Sequence, residues 1–458
     1  MTDDQMLAAS GNASWMLMSA ALVLLMTPAL ALFYGGMTGR RSAVNMMMMS
    51  FGTLGVVSIV YILWGWSMSY GTQSVAGVFA NPFEMFGLSG QITDDAGAYV
   101  EGESGYANVI DIGFQLTFAV ISTAIISGAL AGRVKFSTWL VFSGLWATFC
   151  YFPLAHMVWG GGLLAHTEGS LAAMMFGLTD GEATVAPIDF AGGTVVHISA
   201  GTAALVLALI VGKRYDFMKS QARPHNLPLV MLGAAMLWFG WFGFNGGSAF
   251  AADGLAGMAW LNTTAATAAA MIGWIVIESI RDKRATSLGA ASGVVAGLVT
   301  ITPAAGAMTP VTSLLLGAIG GALACLGVGL KYKFGFDDSL DVVGVHLVAG
   351  LWGTIGLAFF ASEGGMLTDD FGFGFQLLIV QVVIALVAMV FTAVVTAILG
   401  YILKAVMGWR IDSDSEESGI DEAQHHESSY DFENPEEGAT PVHAGAAPKR
   451  VGPVEDEV

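Results

Sequence analysis

Charged residues are scarce in this sequence of 458 residues. Only 12% are Asp, Glu, Lys or Arg, whereas 55% are hydrophobic and the mean hydropathy is +0.67. A soluble globular domain needs a polar surface, so this composition excludes one for most of the chain. A protein that uses lipid as part of its solvent fits, because a helix crossing the hydrocarbon core needs roughly 20 mostly apolar residues.

Cysteine and N-terminal basic residues are also lacking. Cys150 and Cys325 both lie in apolar segments, which indicates small buried side chains and not a disulfide pair or a metal site. The first residues include Asp3 and Asp4 and no base, so the first apolar segment is expected to remain as a membrane span. Glycine, by contrast, is abundant at 60 residues and predicts close helix packing.

The hydropathy pattern predicts an all-α membrane protein with eleven transmembrane helices. All 17 lysines and arginines, beginning with Arg40 and Arg41, follow odd-numbered segments, while connections after even-numbered segments carry only acidic charge. Because cytoplasmic loops retain lysine and arginine, the N-terminus is expected outside and the C-terminus inside. The predicted segments are 15–36, 43–69, 109–131, 137–159, 190–211, 227–249, 255–279, 288–303, 311–332, 342–361 and 373–404.

Two domains are predicted: a transmembrane domain over 1–409 and an acidic cytoplasmic tail over 410–458. The tail holds 14 acidic and 3 basic residues and few large apolar ones, so it is expected to be largely disordered. The outer loops are acidic as well. That charge either concentrates cations at the outer mouth or reflects a salty habitat. No nucleic-acid partner is predicted.

Histidines within the spans are the main candidates for function, because imidazoles in hydrocarbon are costly. His197 lies in the fifth segment after Asp189, and His346 lies in the tenth after Asp341. Two five-helix halves followed by a final helix form an inverted repeat, which places both histidines near a shared midplane. The alternative is that each imidazole bonds a neighbouring helix. A zinc site is not predicted, because a third ligand is absent.

Aromatic residues interleaved with glycine form the second feature. They occur in 114–118, 156–162 and 238–248. Tryptophan and tyrosine commonly mark the membrane interface, so an interfacial belt is one interpretation. The other is that ring faces line a cavity for a compact cation, where each desolvated ring contributes up to about 2 kcal/mol.

Several motifs together resemble the ammonium transporters of the Amt/Mep/Rh superfamily, in particular its microbial Amt branch. The resemblance runs from about Phe33 to Tyr430 and includes Ala155–Gly162, Asp189–His197, Pro224–Pro228, Gly240–Asn245 and Asp341–His346. It implies a multi-pass protein of the cell membrane that forms a homotrimer with one pore in each subunit. It implies no cofactor.

The resemblance also implies roles for individual residues. Phe118, Trp159 and Ser248 would recruit ammonium at the outer face, with Asp189 as electrostatic support behind them. Phe118 and Phe244 would form a gate, and His197 and His346 would line the pore for ammonia. The site residues are therefore Phe118, Trp159, Asp189, His197, Phe244, Ser248 and His346.

The start of the tail carries a further resemblance. Gly419–Asp421 and His426–Tyr430 are similar to the cytoplasmic segment of bacterial and archaeal Amt proteins. The resemblance implies that this segment couples the subunits and that a trimeric PII signalling protein binds nearby; the alternative is a solvated run of charge. An ammonium sensor that signals through the tail is accordingly the alternative function.

Other membrane functions lack their motifs. An intramembrane hydrolase would use acid–base residues, but no HExxH occurs in a span and no serine lies beside a base. A retinal protein needs a lysine in the middle of a span, and a potassium channel needs a TVGYG filter; neither is present.

Overall fold

The computed structural model describes residues 3–102, 104–219 and 223–430, which form a helical bundle. Ten helices in this part of the chain are long and apolar enough to cross a membrane, and a further apolar helix has only 15 residues. In chain order, these eleven helices are α1 Asp3–Met37, α2 Arg40–Tyr70, α3 Asn108–Leu130, α4 Phe136–Val158, α5 Gly193–Val211, α6 Leu227–Gly247, α7 Gly254–Asp282, the shorter α8 Ser287–Ile301, α9 Pro310–Phe334, α10 Val343–Phe360 and α11 Phe371–Val406.

The helix bounds follow the predicted segments, with two informative differences. Helix α1 begins at Asp3 and not near residue 15, because polar residues extend a helix beyond its apolar part. Where the sequence predicts a span over 288–303, the structure has the shorter helix α8 of 15 residues. Nearly all of its side chains are buried, so other helices surround it and it does not need the length of a lipid-facing helix.

Small residues allow the closest helix contacts. Helix α1 packs along α6, and a Cβ at Gly243 would lie 2.6 Å from the Leu22 Cβ and 2.8 Å from the Ser19 carbonyl oxygen. Helix α7 packs along α9 in the same way, where a Cβ at Gly321 would lie 2.1 Å from the Ala270 carbonyl oxygen. Glycine is therefore required at both crossings, as expected for tightly packed membrane helices.

The connections contain only short regular elements. Two antiparallel hairpins lie in the loops after α2 and α4, and each of their strands has two residues. The strands are β1 Ser74–Val75, β2 Phe79–Ala80, β3 Leu178–Thr179 and β4 Glu182–Ala183, and the short helices are Phe86–Leu88, Leu171–Phe176, Ser413–Ser418 and Ile420–His425.

The predicted tail is described in part. Residues 410–430 form two of the short helices and contact the start of α2. Residues 431–458 lie outside the described residues, so the expected disorder of the tail stays a prediction there.

Candidate functional site

The two predicted pore histidines lie side by side in the interior. The Nδ1 atoms of His197 on α5 and His346 on α10 are 3.3 Å apart, and the ring centroids are 5.4 Å apart. Both side chains are buried. One imidazole must donate its Nδ1 proton while the other accepts, so the pair holds complementary tautomers. The Nε2 atom of His197 has no hydrogen-bond partner among the described residues.

Each histidine lies on a π-helical turn at the start of its helix, and a carboxylate caps that turn. The Asp189 carboxylate accepts hydrogen bonds from the backbone N–H groups of Gly192 at 2.9 Å, Gly193 at 2.6 Å, Thr194 at 3.0 Å and Val195 at 3.2 Å. The first N–H groups of a helix lack partners within the helix, and a negative charge there is stabilised. Asp189 thus fixes the start of α5.

Asp338 has the same position on α10, a role that the sequence comparison of Asp189 with Asp341 missed. Its carboxylate accepts from the N–H groups of Val342 at 3.0 Å and Val343 at 2.7 Å. Asp341 instead forms an ion pair with Lys331 at 2.6 Å. Burial raises the pKa of Asp338 to about 6, a rise that Lys331 opposes and Asp341 increases.

The sequence does contain a signal that Asp338 corresponds to Asp189. Asp189 and Asp338 each precede their histidine by eight residues. Identical spacing puts the carboxylate and the imidazole at equivalent places on two similar helix starts. The mirrored motif is therefore Asp-x7-His, and the shorter interval from Asp341 is not equivalent.

A wide cavity of about 1340 Å³, here called the vestibule, lies where the connections after α2, α4 and α6 meet. Phe118, Trp159 and Ser248 all line it. The Phe118 and Trp159 rings meet edge to face with centroids 6.2 Å apart. The structure thus brings the three predicted recruitment residues into one wall, which offers aromatic faces and a hydroxyl to a compact cation.

Backbone contacts hold two of these side chains in place. The indole N–H of Trp159 donates to the carbonyl oxygen of Asp189 at 2.9 Å. The Ser248 hydroxyl donates to the carbonyl oxygen of Phe244 at 2.8 Å. Because a hydroxyl oxygen keeps its lone pairs when it donates, Ser248 can still accept from a cation with N–H groups.

A pair of stacked rings separates the vestibule from the histidines. The Phe118 and Phe244 centroids are 4.1 Å apart with an angle of 24° between the ring planes, and both side chains are buried. Phe118 lines the vestibule, whereas Phe244 lines the next cavity inward and lies 6.1 Å from the His197 ring centroid. The predicted gate residues therefore lie between the two spaces.

The space beside the histidines, here called the passage, is narrow and apolar. Its volume is about 10 Å³, close to the least that holds one water molecule. Apart from the two imidazoles, its walls are aliphatic and aromatic. The lining residues are Met26, Leu30, Ile121, Ile125, Val196, His197, Leu237, Trp241, Phe244, Val295 and His346.

The described part of the tail is bound to the membrane domain by specific contacts. The Asp421 carboxylate accepts from the N–H groups of Val44 at 3.0 Å and Asn45 at 2.7 Å at the start of α2. The Asn226 amide donates to the Tyr430 hydroxyl at 2.9 Å at the start of α6. The segments that resemble the Amt cytoplasmic segment therefore lie on the domain and are not extended into solvent.

Comparison with known proteins agrees with this arrangement. The model of the Ammonium Transporter Family matches residues 14–430. An ammonium transporter of Mycobacterium tuberculosis is 46% identical, with 92% of this chain and 90% of that protein covered. One from Aquifex aeolicus is 44% identical, with 92% and 94% covered.

Solved structures are similar as well. A sensor Amt protein matches with a TM-score of 0.79 and 27% identity, over 92% of this chain and 99% of that one. Mep2 of Saccharomyces cerevisiae matches with a TM-score of 0.76 and 29% identity, over 88% and 90%. The family resemblance of the motifs is thus confirmed, and the protein is a multi-pass protein of the cell membrane. The chain belongs to the ammonium transporter family.

Proposed function

We propose that this protein takes up ammonium as a nitrogen source and conducts it as ammonia. Ammonium binds to the vestibule wall of Phe118, Trp159 and Ser248, loses a proton, and passes His197 and His346 as a neutral molecule. The observation that carries the proposal is the stacked phenylalanine pair between a wide polar vestibule and a passage of about 10 Å³.

The passage favours a neutral molecule on energetic grounds. A full charge at the middle of a membrane costs about 2.5 kcal/mol or more. Burial favours the neutral form of an amine, so ammonium avoids this cost by releasing a proton. Potassium has a similar size and the same charge but has no neutral form. Selection against potassium therefore takes place at the phenylalanine gate and not at the aromatic wall alone.

The histidine pair offers hydrogen bonds to ammonia after its proton has left. The contact between the two Nδ1 atoms fixes how the imidazoles share their protons. The Nε2 atom of His197 remains without a partner among the described residues and can bond a molecule that both donates and accepts. The rest of the passage is apolar and offers nothing comparable.

We further propose eleven spans in two inverted five-helix halves and a final helix, with the N-terminus outside and the C-terminus inside. Asp189 and Asp338 each precede their histidine by eight residues, and each histidine lies on a π-helical turn; this correspondence supports the inverted halves. The burial of α8 supports its role as a short eighth span. The homotrimer with one pore in each subunit rests on the family resemblance.

An ammonium sensor is the second candidate function. The similarity to a solved sensor Amt protein and the contacts of Asp421 with the start of α2 favour it. In this alternative, occupation of the vestibule changes how residues 410–430 lie on the domain. A trimeric PII signalling protein at the same face would then receive the signal.

Reconstituted protein provides the test. We expect an ammonium pulse to produce transport in proteoliposomes that contain the protein, while an equal potassium pulse produces none. Transport of both ions would contradict the proposed gate. Ammonium binding without transport would favour the sensor.

A further inference from the structure

A polar recess lies in the vestibule wall above the aromatic site. Three of the polar residues that line the vestibule are here called the recess: Asp111 and Gln115 on α3, and Tyr70 at the end of α2. Asp111 is 8% exposed and Gln115 is 9% exposed, so both are largely buried although they line the cavity. None of the three belongs to the aromatic wall or to the histidine passage.

Helical spacing aligns this recess with the gate. Asp111, Gln115 and Phe118 are separated by four and three residues, which puts all three on one face of α3. With a rise of about 1.5 Å per residue, Asp111 lies roughly 10 Å and Gln115 roughly 4–5 Å before Phe118 along the helix axis. A cation that follows this face therefore meets the carboxylate first, then the amide, then the ring.

Two oxygen atoms of the recess, both on neutral side chains, lack hydrogen-bond partners among the described residues. The Gln115 Oε1 and the Tyr70 hydroxyl are buried and have no hydrogen-bond partner within the part of the chain that the structure describes. An amide oxygen can only accept, a carboxylate can only accept, and a phenol can do either. Buried polar groups are ordinarily hydrogen-bonded, so the Gln115 and Tyr70 oxygens point to a ligand that donates N–H groups. The negative charge of Asp111 on the same wall favours a ligand with positive charge.

We propose that Asp111, Gln115 and Tyr70 form a staging subsite for ammonium before it reaches Phe118, Trp159 and Ser248. This inference rests on the proposed function and adds a second binding position to it. The Asp111 carboxylate already accepts a hydrogen bond from the Tyr106 hydroxyl, and it keeps its negative charge while it does so. Asp111 supplies the negative charge that holds the cation, and selection against potassium stays with the gate.

Transport measured against ammonium concentration tests the subsite. In proteoliposomes supplied with ammonium chloride, Asp111→Asn and Gln115→Leu should each raise the half-saturating concentration by about three- to tenfold, the effect of one partly solvated charge-assisted contact. The maximal rate should stay near that of the unaltered protein, because neither side chain lines the passage.

A control variant separates the subsite from general surface charge. Asp95→Asn removes one charge from an exposed residue outside the vestibule. It should leave the half-saturating concentration unchanged.

The outcomes are distinguishable. If the unaltered protein transports ammonium and Asp111→Asn does so with the same half-saturating concentration, the subsite is wrong and the proposed function stands. An equal rise in Asp95→Asn would assign the effect to surface charge and overturn the subsite. Absence of transport in the unaltered protein would overturn both proposals.

Discussion

Trp159 connects the aromatic wall to the start of the helix that carries His197. Its indole N–H donates to the carbonyl oxygen of Asp189, and the carboxylate of the same aspartate caps α5. The orientation of the ring thus depends on the loop that also fixes the first pore histidine. Under the proposed function, this single residue would couple the binding of the cation to the geometry of the passage.

Substitutions in the aromatic wall should weaken recruitment. Because a desolvated ring contributes up to about 2 kcal/mol to cation binding, we expect Trp159→Leu to raise the half-saturating ammonium concentration by about tenfold or more. Ser248→Ala should raise it by about three- to tenfold through loss of one hydrogen bond to a charge. Uptake at limiting ammonium measures both.

Trp64→Leu is the matched control for this measurement. The Trp64 indole donates to the Thr148 hydroxyl at 3.0 Å and does not line the vestibule. It should leave uptake at limiting ammonium unchanged. Unchanged uptake in Trp159→Leu and Ser248→Ala would argue against the recruitment site.

The raised pKa of Asp338 predicts a pH dependence of stability. Burial raises this pKa from 3.8 to about 6 in the folded protein. The folded state therefore binds the Asp338 proton more firmly than the unfolded state does. The contribution of protonated Asp338 to the free energy of unfolding is complete below the unfolded pKa and is lost as pH rises through about 6. We expect the Tm in detergent to be higher by a few degrees near pH 4 than above pH 6 from this group alone.

Asp338→Asn isolates that contribution, because the amide cannot titrate and its oxygen can still accept from Val342 and Val343. The difference in Tm between the variant and the unaltered protein should change across this pH range. A constant difference would show that Asp338 titrates at its ordinary value. Thermal unfolding of both proteins over the same series of buffers provides the comparison.

At the scale of helices, the contact between α5 and α10 determines where the histidines meet. A Cβ at Gly201 would lie 2.6 Å from the backbone nitrogen and the Cβ of Leu347, next to His346. The backbone of Leu347 cannot move aside to relieve this clash, whereas the end of a flexible side chain could. Glycine at this position therefore permits the close approach of the two pore helices.

Gly201→Ala should separate the pore helices and reduce ammonium transport at least about tenfold, because small displacements at a tightly packed site are not absorbed. Gly55→Ala is the control, since a Cβ at Gly55 meets no atom within 4 Å. The control should keep full transport and a slightly raised stability, as alanine favours an exposed helix position by up to about 1 kcal/mol. Equal transport in the two variants would contradict the close-packing account.

The sequence could predict the helices because each is a local signal. Ten predicted spans correspond to helices of sufficient length and hydropathy in the described residues, and the family motifs pointed to His197 and His346 as a pair. The burial of α8 could not be predicted, because hydropathy does not distinguish a helix surrounded by lipid from one surrounded by other helices. Its short length is explained only by its neighbours.

Some features of the candidate site could not be predicted from the sequence either. The π-helical turns that carry His197 and His346 follow from tertiary packing and leave no periodic signal. The capping role of Asp338 was missed because Asp341 stands nearer the predicted span. The volume of the passage depends on side chains from several helices that are far apart in the chain.

For the whole molecule, the described part of the tail links the ends of distant helices. Asp421 caps the start of α2, and the His425 ring forms a hydrogen bond of 3.0 Å with the Asn45 side chain. Tyr430 reaches the start of α6 through Asn226. Residues 410–430 thus contact the starts of both α2 and α6, a connection that the sensor proposal would use.

Removal of the Asp421 carboxylate should release this segment. We expect Asp421→Ala to increase proteolytic cleavage within residues 410–430 by about tenfold, because two backbone N–H groups lose their acceptor. Asp414→Ala is the control, as Asp414 is exposed in the same segment. Limited proteolysis of purified protein measures the effect, and equal cleavage in both variants would show that the Asp421 contacts do not hold the segment.

The central proposal is that ammonium sheds its charge and passes two neighbouring imidazoles in an apolar passage. Transport of ammonium and of potassium by His197→Ala and His346→Ala, each in the same vesicles as the unaltered protein, tests it most directly. We predict that each variant either loses ammonium transport or admits potassium as well, while the protein stays folded. Full ammonium transport without potassium transport in both variants would contradict the proposal.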